Sequence, residues 1–143
     1  MTRRRKTPSL FILLICAESV VGLSGCGSDN IPAILRGVSA GGGYWDACPR
    51  NLDFKSSPSA LSPEFNARLE SRYPPESADT VLVSELTAAG FKSAGACKSD
   101  PNTKILAFDD KDAIPNVVAE VYWQADSKGR IAWTKGFVRY IFF

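Results

Sequence analysis

The sequence predicts an α+β fold, in which two helices pack on a small antiparallel β-sheet that ends in a C-terminal hairpin. Apolar residues recur at four-residue spacing between residues 62 and 90, which is typical of helices. After Gly90 they recur at every second position, which is typical of strands. Residues 44–143 are about 100 in number, which suits a single domain with one core.

The first helix is predicted to begin at Ser62. Ser62 is a favourable N-cap, Pro63 suits the first turn, and Glu64 complements the positive end of the helix dipole. An apolar stripe follows at four-residue spacing, and two prolines end the helix directly after it. The stripe consists of Phe65, Leu69 and Tyr73.

A second helix is predicted to begin at an N-cap formed by Ser77, with an acidic residue in its first turn. Its apolar residues would form a buried side beside a solvated edge at Glu85: Val81, Leu82, Leu86 and Ala89. Gly90 should end this helix, and Phe91 should fold back onto Leu86 as the apolar contact of a Schellman motif.

Four strands are predicted after the helices, at residues 91–98, 104–108, 117–124 and 130–143. The second of these could instead be an irregular crossing. A turn at residues 100–102 and a hairpin loop at residues 126–129 separate them. The third strand should place Val117 and Trp123 on one face and Tyr122 on the other. Gly136 predicts a bulge or bend in the last strand.

The N-terminal 25 residues have the layout of a secretory signal peptide. Four basic residues lie within the first six positions, and an apolar run follows at residues 10–17. A transmembrane helix needs about 20 uninterrupted apolar residues, whereas Glu18 interrupts this run. We therefore expect cleavage rather than a retained span.

The sequence LSGC at residues 23–26 resembles the lipobox of bacterial lipoproteins. The resemblance implies cleavage before Cys26 and attachment of a diacylglyceryl group to its thiol, so that membrane lipid is one partner. Cys16 follows the bulky Ile15 and does not fit this pattern. Gly27 favours the periplasmic face of the outer membrane, although the nearby Asp29 leaves the inner membrane open. The alternative is an ordinary cleaved signal that contains a chance cysteine.

Cleavage also changes the charge of the chain. The full sequence has 17 basic and 15 acidic residues, and the signal peptide contains four of the basic residues and one acidic residue, Glu18. The mature chain therefore has a formal net charge of −1 and no basic patch, and we expect no nucleic-acid partner.

Two cysteines remain after the signal is removed and Cys26 is lipidated. In an oxidising compartment we expect Cys48 and Cys97 to form a disulfide. In the chain-entropy view, closing a loop of this length stabilises a fold by about 4 kcal/mol. Metal binding is disfavoured because the chain has no histidine and neither cysteine lies in a C-x-x-C pair.

Residues 26–43 are predicted to be the lipidated cysteine and a tether to the domain. A flexible chain of this length has a root-mean-square span of about 20–25 Å, enough to hold a domain clear of the headgroups. Residues 31–35 are apolar, and a short strand or a segment docked on the domain is the alternative there.

The stretches FNARLESRYPP and VYWQADSKGRIAWTKGFV resemble the helix–helix–sheet domain of small outer-membrane lipoproteins of the SmpA/OmlA (BamE-like) type. That family has an Asp-x-x-Gly-x-(Ile/Val) turn in its last hairpin, matched here by Asp126, Gly129 and Ile131. The resemblance covers about residues 61–138 and implies a non-enzymatic accessory role in the cell envelope, through contact with another envelope protein. The same layout is similar to protein inhibitors of secreted enzymes, which implies an inhibitor or immunity lipoprotein as the alternative.

No catalytic centre and no cofactor are predicted. Without histidine, a Ser-His or Cys-His nucleophile pair is impossible. Asp109, Asp110 and Asp112 lack the Gly and terminal Glu of a calcium-binding loop, so we expect a solvated loop. Partner binding is predicted at three aromatic residues, Tyr122, Trp133 and Tyr140, because interfaces favour tyrosine and tryptophan. The alternative is that these rings pack in the core.

Overall fold

A computed structural model describes residues 30–41 and 61–142 of the chain. Two helices, α1 (Pro63–Arg72) and α2 (Asp79–Ala88), precede four strands. The strands are β1 (Lys92–Ala96), β2 (Lys104–Asp110), β3 (Asn116–Ala125) and β4 (Ile131–Ile141). They form one antiparallel sheet in the order β1-β2-β3-β4. The predicted α+β fold with its C-terminal hairpin is confirmed.

Helix α1 forms as its sequence predicts, since it begins at Pro63 and its three apolar residues are buried: Phe65, Leu69 and Tyr73. Ser62 occupies the N-cap position, but its hydroxyl makes no capping bond. The hydroxyl oxygen instead accepts a hydrogen bond from the backbone N–H of Val138 in β4, at 2.8 Å. Ser62 therefore links the start of α1 to β4 instead of capping the helix with its side chain.

Helix α2 differs from the prediction at its start and on one side. Its N-cap is Ala78, because the hydroxyl of Ser77 donates to the carbonyl of Pro74 at 2.6 Å. Val81 is 47% exposed, since the buried side of α2 is a narrow stripe formed by Leu82 and Leu86, and Val81 lies beside it. The predicted N-cap at Ser77 and the predicted burial of Val81 were both wrong.

The end of α2 is the predicted Schellman motif. Gly90 has a φ of +96°, a conformation that side chains disfavour. Its N–H donates to the carbonyl of Thr87, and the N–H of Phe91 donates to the carbonyl of Leu86, each at 3.0 Å. Phe91 and Leu86 are both buried in the same apolar cluster.

The sheet has two apolar clusters. The larger lies on the face covered by the helices, where alternate residues of β3 are buried: Val117, Ala119, Val121 and Trp123. The smaller cluster, which we call the second-face cluster, contains Cys97, Ile105, Tyr122 and Phe137, with Trp133 packed against it. None of its members comes from a helix.

Gly136 was predicted to mark a bulge or bend, and the predicted bulge is not at this residue. It pairs regularly with Val121, and the irregularity between β3 and β4 lies at Gln124 and Ala125. A Cβ at Gly136 would lie 2.6 Å from Cε1 of Phe65 and 2.9 Å from the carbonyl oxygen of Glu120. Glycine is required here because α1 packs directly on the backbone of β4.

The outer edge of β4 is closed by polar groups around α1. The amide of Asn66 accepts from the N–H of Gly136 at 3.0 Å and donates to its carbonyl at 2.7 Å. It thereby replaces a neighbouring strand at this residue. At Val138, the N–H donates to the hydroxyl of Ser62. The carbonyl of Val138 accepts from the N–H of Gly41 at 2.9 Å.

Residues 31–41, within the predicted tether, pack on the domain. Leu35 and Val38 are buried in the main core, and a 3₁₀ turn spans Ala33–Leu35. The alternative of a docked segment at residues 31–35 is therefore what the structure shows, and the packing continues to Gly41.

We predict that Asn66→Ala lowers the free energy of unfolding by about 2–3 kcal/mol, because it leaves the buried N–H of Gly136 without a partner and its carbonyl with only the N–H of Ser62, at 3.5 Å. Asn102→Ala, in an exposed turn, is the matched control and should change stability by less than about 0.5 kcal/mol. Urea unfolding followed by tryptophan fluorescence measures both. Equal stabilities for the two variants would contradict this account of the β4 edge.

Candidate functional site

Of the residues predicted from sequence to be functional, four are placed by the structure: Cys97, Tyr122, Trp133 and Tyr140. Cys26 and Cys48 lie outside the described residues, and so do the signal peptide and residues 42–60. Their predicted roles stay predictions.

Cys97 is disulfide-bonded, and its partner lies outside the described residues. It directly follows β1, where its N–H donates to the carbonyl of Thr103 at 2.8 Å, and it is 2% exposed. Cys97 belongs to the second-face cluster.

The three predicted partner-binding aromatic residues do not form one exposed patch. Tyr122 is fully buried in the second-face cluster, where its ring centroid lies 6.1 Å from that of Phe137. Its hydroxyl donates to Glu120. Tyr122 is therefore a core residue, and the prediction that it binds a partner is corrected.

Trp133 and Tyr140 are half-buried, and they lie on different faces of the sheet. The indole N–H of Trp133 donates to Gln124 at 3.2 Å, and Gln124 in turn donates to Asp100 at 2.6 Å. Tyr140 packs against the main core and donates to the carbonyl of Val38 at 2.9 Å. Burial raises the pKa of its hydroxyl. The alternation of β4 separates the two rings.

Two of the three acidic residues expected in a solvated loop, Asp109 and Asp110, are instead the last residues of β2, and Asp110 is buried. One carboxylate oxygen of Asp110 accepts from the N–H groups of Asp112 and Ala113, which makes it the turn-forming residue. Asp109 and Lys111 form an exposed ion pair at 3.7 Å. Across the described ranges, no group of three His, Cys, Asp or Glu residues could hold a metal ion.

Sequence reasoning did not identify an open groove between the 3₁₀ turn and α1. Its volume is about 620 Å³, and it is lined by three small residues, one isoleucine and two arginines: Ala33, Ile34, Ala67, Arg68, Ser71 and Arg72. The four-residue spacing of Arg68 and Arg72 on the solvent side of α1 was the available signal.

Hydrogen bonds fix both arginines of this groove. One terminal nitrogen of Arg68 donates to the carbonyls of Ile34 and Arg36, at 2.9 and 2.8 Å. Nε of Arg72 donates to Glu85 at 2.7 Å, and the hydroxyl of Tyr73 donates to the same carboxylate oxygen at 2.9 Å. Hydrogen bonds thus hold both guanidinium groups of the groove, and Glu85 compensates the charge of Arg72.

These contacts, together with burial, shift the pKa values of Glu85 and Tyr73. Hydrogen bonding from Arg72 is the main cause of a lowered pKa at Glu85. Burial, and then the hydrogen bond to Glu85, raises the pKa of Tyr73 to about 12. The raised pKa means that folding favours the protonated phenol. Its contribution to the free energy of unfolding is fully present below the ordinary pKa of about 10 and is lost as the pH rises towards 12.

We predict that alkaline pH destabilises the protein through Tyr73. Between pH 8 and pH 11 the wild type should lose about 1 kcal/mol more free energy of unfolding than Tyr73→Phe, which has no phenol to ionise. Urea unfolding at fixed pH values measures the difference. Parallel pH profiles for the two proteins would show that ionisation of Tyr73 is not linked to folding.

For the disulfide, we predict that Cys48→Ser and Cys97→Ser each destabilise the oxidised protein by about 4 kcal/mol, and that the double variant is no less stable than either. Either substitution already removes the whole disulfide, so the two losses of stability should not add. Non-reducing peptide mapping should recover the two cysteines in one linked peptide. A stable Cys48→Ser variant, or linkage of Cys97 to Cys26, would refute the pairing.

Within the part of the chain that the structure covers, neither helix is long and apolar enough to span a membrane. No protein-family model matches the sequence, and no curated protein or solved structure is significantly similar to it.

Proposed function

We propose that the protein is a lipid-anchored periplasmic module that binds another envelope protein and has an accessory, non-enzymatic role. The observation that carries the proposal is the sequence LSGC at residues 23–26, after a basic tip and an apolar run. The disulfide at Cys97 supports it, because such bonds persist in oxidising compartments such as the periplasm.

The surface of the domain supports protein contact through side chains rather than strand pairing. Asn66, Ser62 and Gly41 close the edge of β4. β1 is the other edge strand and is exposed throughout, but its register shifts between Ser93 and Gly95, where φ is +87°. Bulges of this kind oppose the addition of a strand.

Trp133 is the contact residue that we favour. It is half-buried on the sheet face opposite the helices, and Gln124 holds its indole nitrogen, so the ring needs little ordering when a partner binds. Rigid aromatic rings of this kind dominate the binding energy of many interfaces.

The anchor is tested by Cys26→Ala in the full chain. We expect the variant to leave the membrane fraction and to accumulate with its signal peptide attached, because the lipidated thiol is the cleavage determinant of the lipobox. Fractionation and intact mass measure both. A variant that stays membrane-bound and is trimmed to the wild-type size would exclude the lipoprotein assignment.

Partner binding is tested by crosslinking in intact envelopes followed by capture. We expect Trp133→Ala to reduce recovery of the main partner at least fivefold, whereas Val81→Ala, an exposed apolar residue on α2, should not. Far-UV circular dichroism of both variants should remain that of the wild type. A resident assembly or peptidoglycan-associated protein as partner supports the accessory role, and a stoichiometric hydrolase or toxin would establish the inhibitor alternative.

A further inference from the structure

We propose that one surface of the domain lies against the phospholipid headgroups of the leaflet that holds the anchor. This surface, which we call the arginine surface, comprises Ala33, Arg36, Ala67, Ser71 and Arg72, all of them exposed. The proposal rests on the proposed lipidation of Cys26 and adds to it the orientation of the domain.

The first argument is that the chain is fixed to the domain soon after the anchor. Ile31 packs against the main core, and its carbonyl accepts from Nε of Arg36 at 3.0 Å. Beyond it, Leu35 and Val38 are buried. Glu64 accepts from both the N–H and the hydroxyl of Ser39, at 3.0 and 2.8 Å.

The second argument is the length that remains. Ile31 lies five positions after Cys26, and each step along the chain extends at most about 3.3–3.6 Å, so Ile31 stays within about 18 Å of the lipidated residue. A domain of about 100 residues has a radius of gyration of about 13 Å, and its diameter is therefore about 30 Å or more. The side that carries Ile31 must face the bilayer, because the chain is too short to pass around the domain.

The third argument is the chemistry of that side. Its exposed side chains are small or cationic, and the groove between Ala33 and Ser71 contains no large exposed apolar group. Guanidinium groups are well suited to phosphate; Arg68 and Arg72 line this groove, and the exposed Arg36 contacts Arg68 through its backbone carbonyl. Arg72 is paired with Glu85, and Glu64 accepts from the neutral Ser39 and keeps its charge, so Arg36 and Arg68 supply the uncompensated positive charge of this side. The surface therefore fits headgroups rather than acyl chains.

The test uses the full lipidated chain in nanodiscs that contain a gadolinium-chelate lipid headgroup. We expect the amide signals of Ala33, Ala67 and Ser71 to lose more than half their intensity. Those of Lys92, on the opposite face of the sheet, and Asn102, in the β1–β2 turn, should keep most of theirs. Equal losses at the two groups would overturn the proposal.

A spacer variant separates the short chain from other causes of orientation. Twenty Gly and Ser residues inserted between Ser28 and Asp29 add a root-mean-square span of about 25 Å. We expect the difference between the two groups of amides to disappear, and its persistence would overturn the length argument. Absence of the lipid mass on Cys26 would refute the anchor itself, whereas equal signal losses in a lipidated protein refute only the orientation.

Discussion

The close packing of α1 on the backbone of β4 at Gly136 is the contact on which the rest of the structure depends. Gly136 has no side chain, so Phe65 and Leu69 reach the strand, and Asn66 between them bonds both of its backbone groups. Farther along the same edge, the loop after α1 bonds the start of β4 through Glu76 and Ser77. One helix and one loop therefore take the place of a fifth strand.

This arrangement also positions the N-terminal segment. Gly41 bonds Val138, and Tyr140 bonds Val38, so the strand that receives α1 also receives residues 31–41. The segment then contacts α1 through Arg68 and Glu64. In the lipid-anchored form that we propose, the chain from the membrane would join the domain at this packed segment.

Local signals in the sequence predicted the helices and strands well. The start of α1, the Schellman motif at Gly90 and the turn before Thr103 depend on a few neighbouring residues, and each forms as expected. Gly136 and Tyr122 were misjudged because their surroundings come from residues distant in the chain. The groove beside α1 could not be predicted, since it exists only where residues 31–36 dock against Arg68.

Amide hydrogen exchange at the outer edge of β4 tests the central contact most directly. Edge-strand N–H groups that point to solvent exchange by local opening, with little protection. If Asn66 and Ser62 close this edge, the N–H groups of Gly136 and Val138 should be protected to nearly the full free energy of unfolding, as in β3 at the centre of the sheet. Rapid exchange at both residues in an otherwise protected sheet would contradict the account.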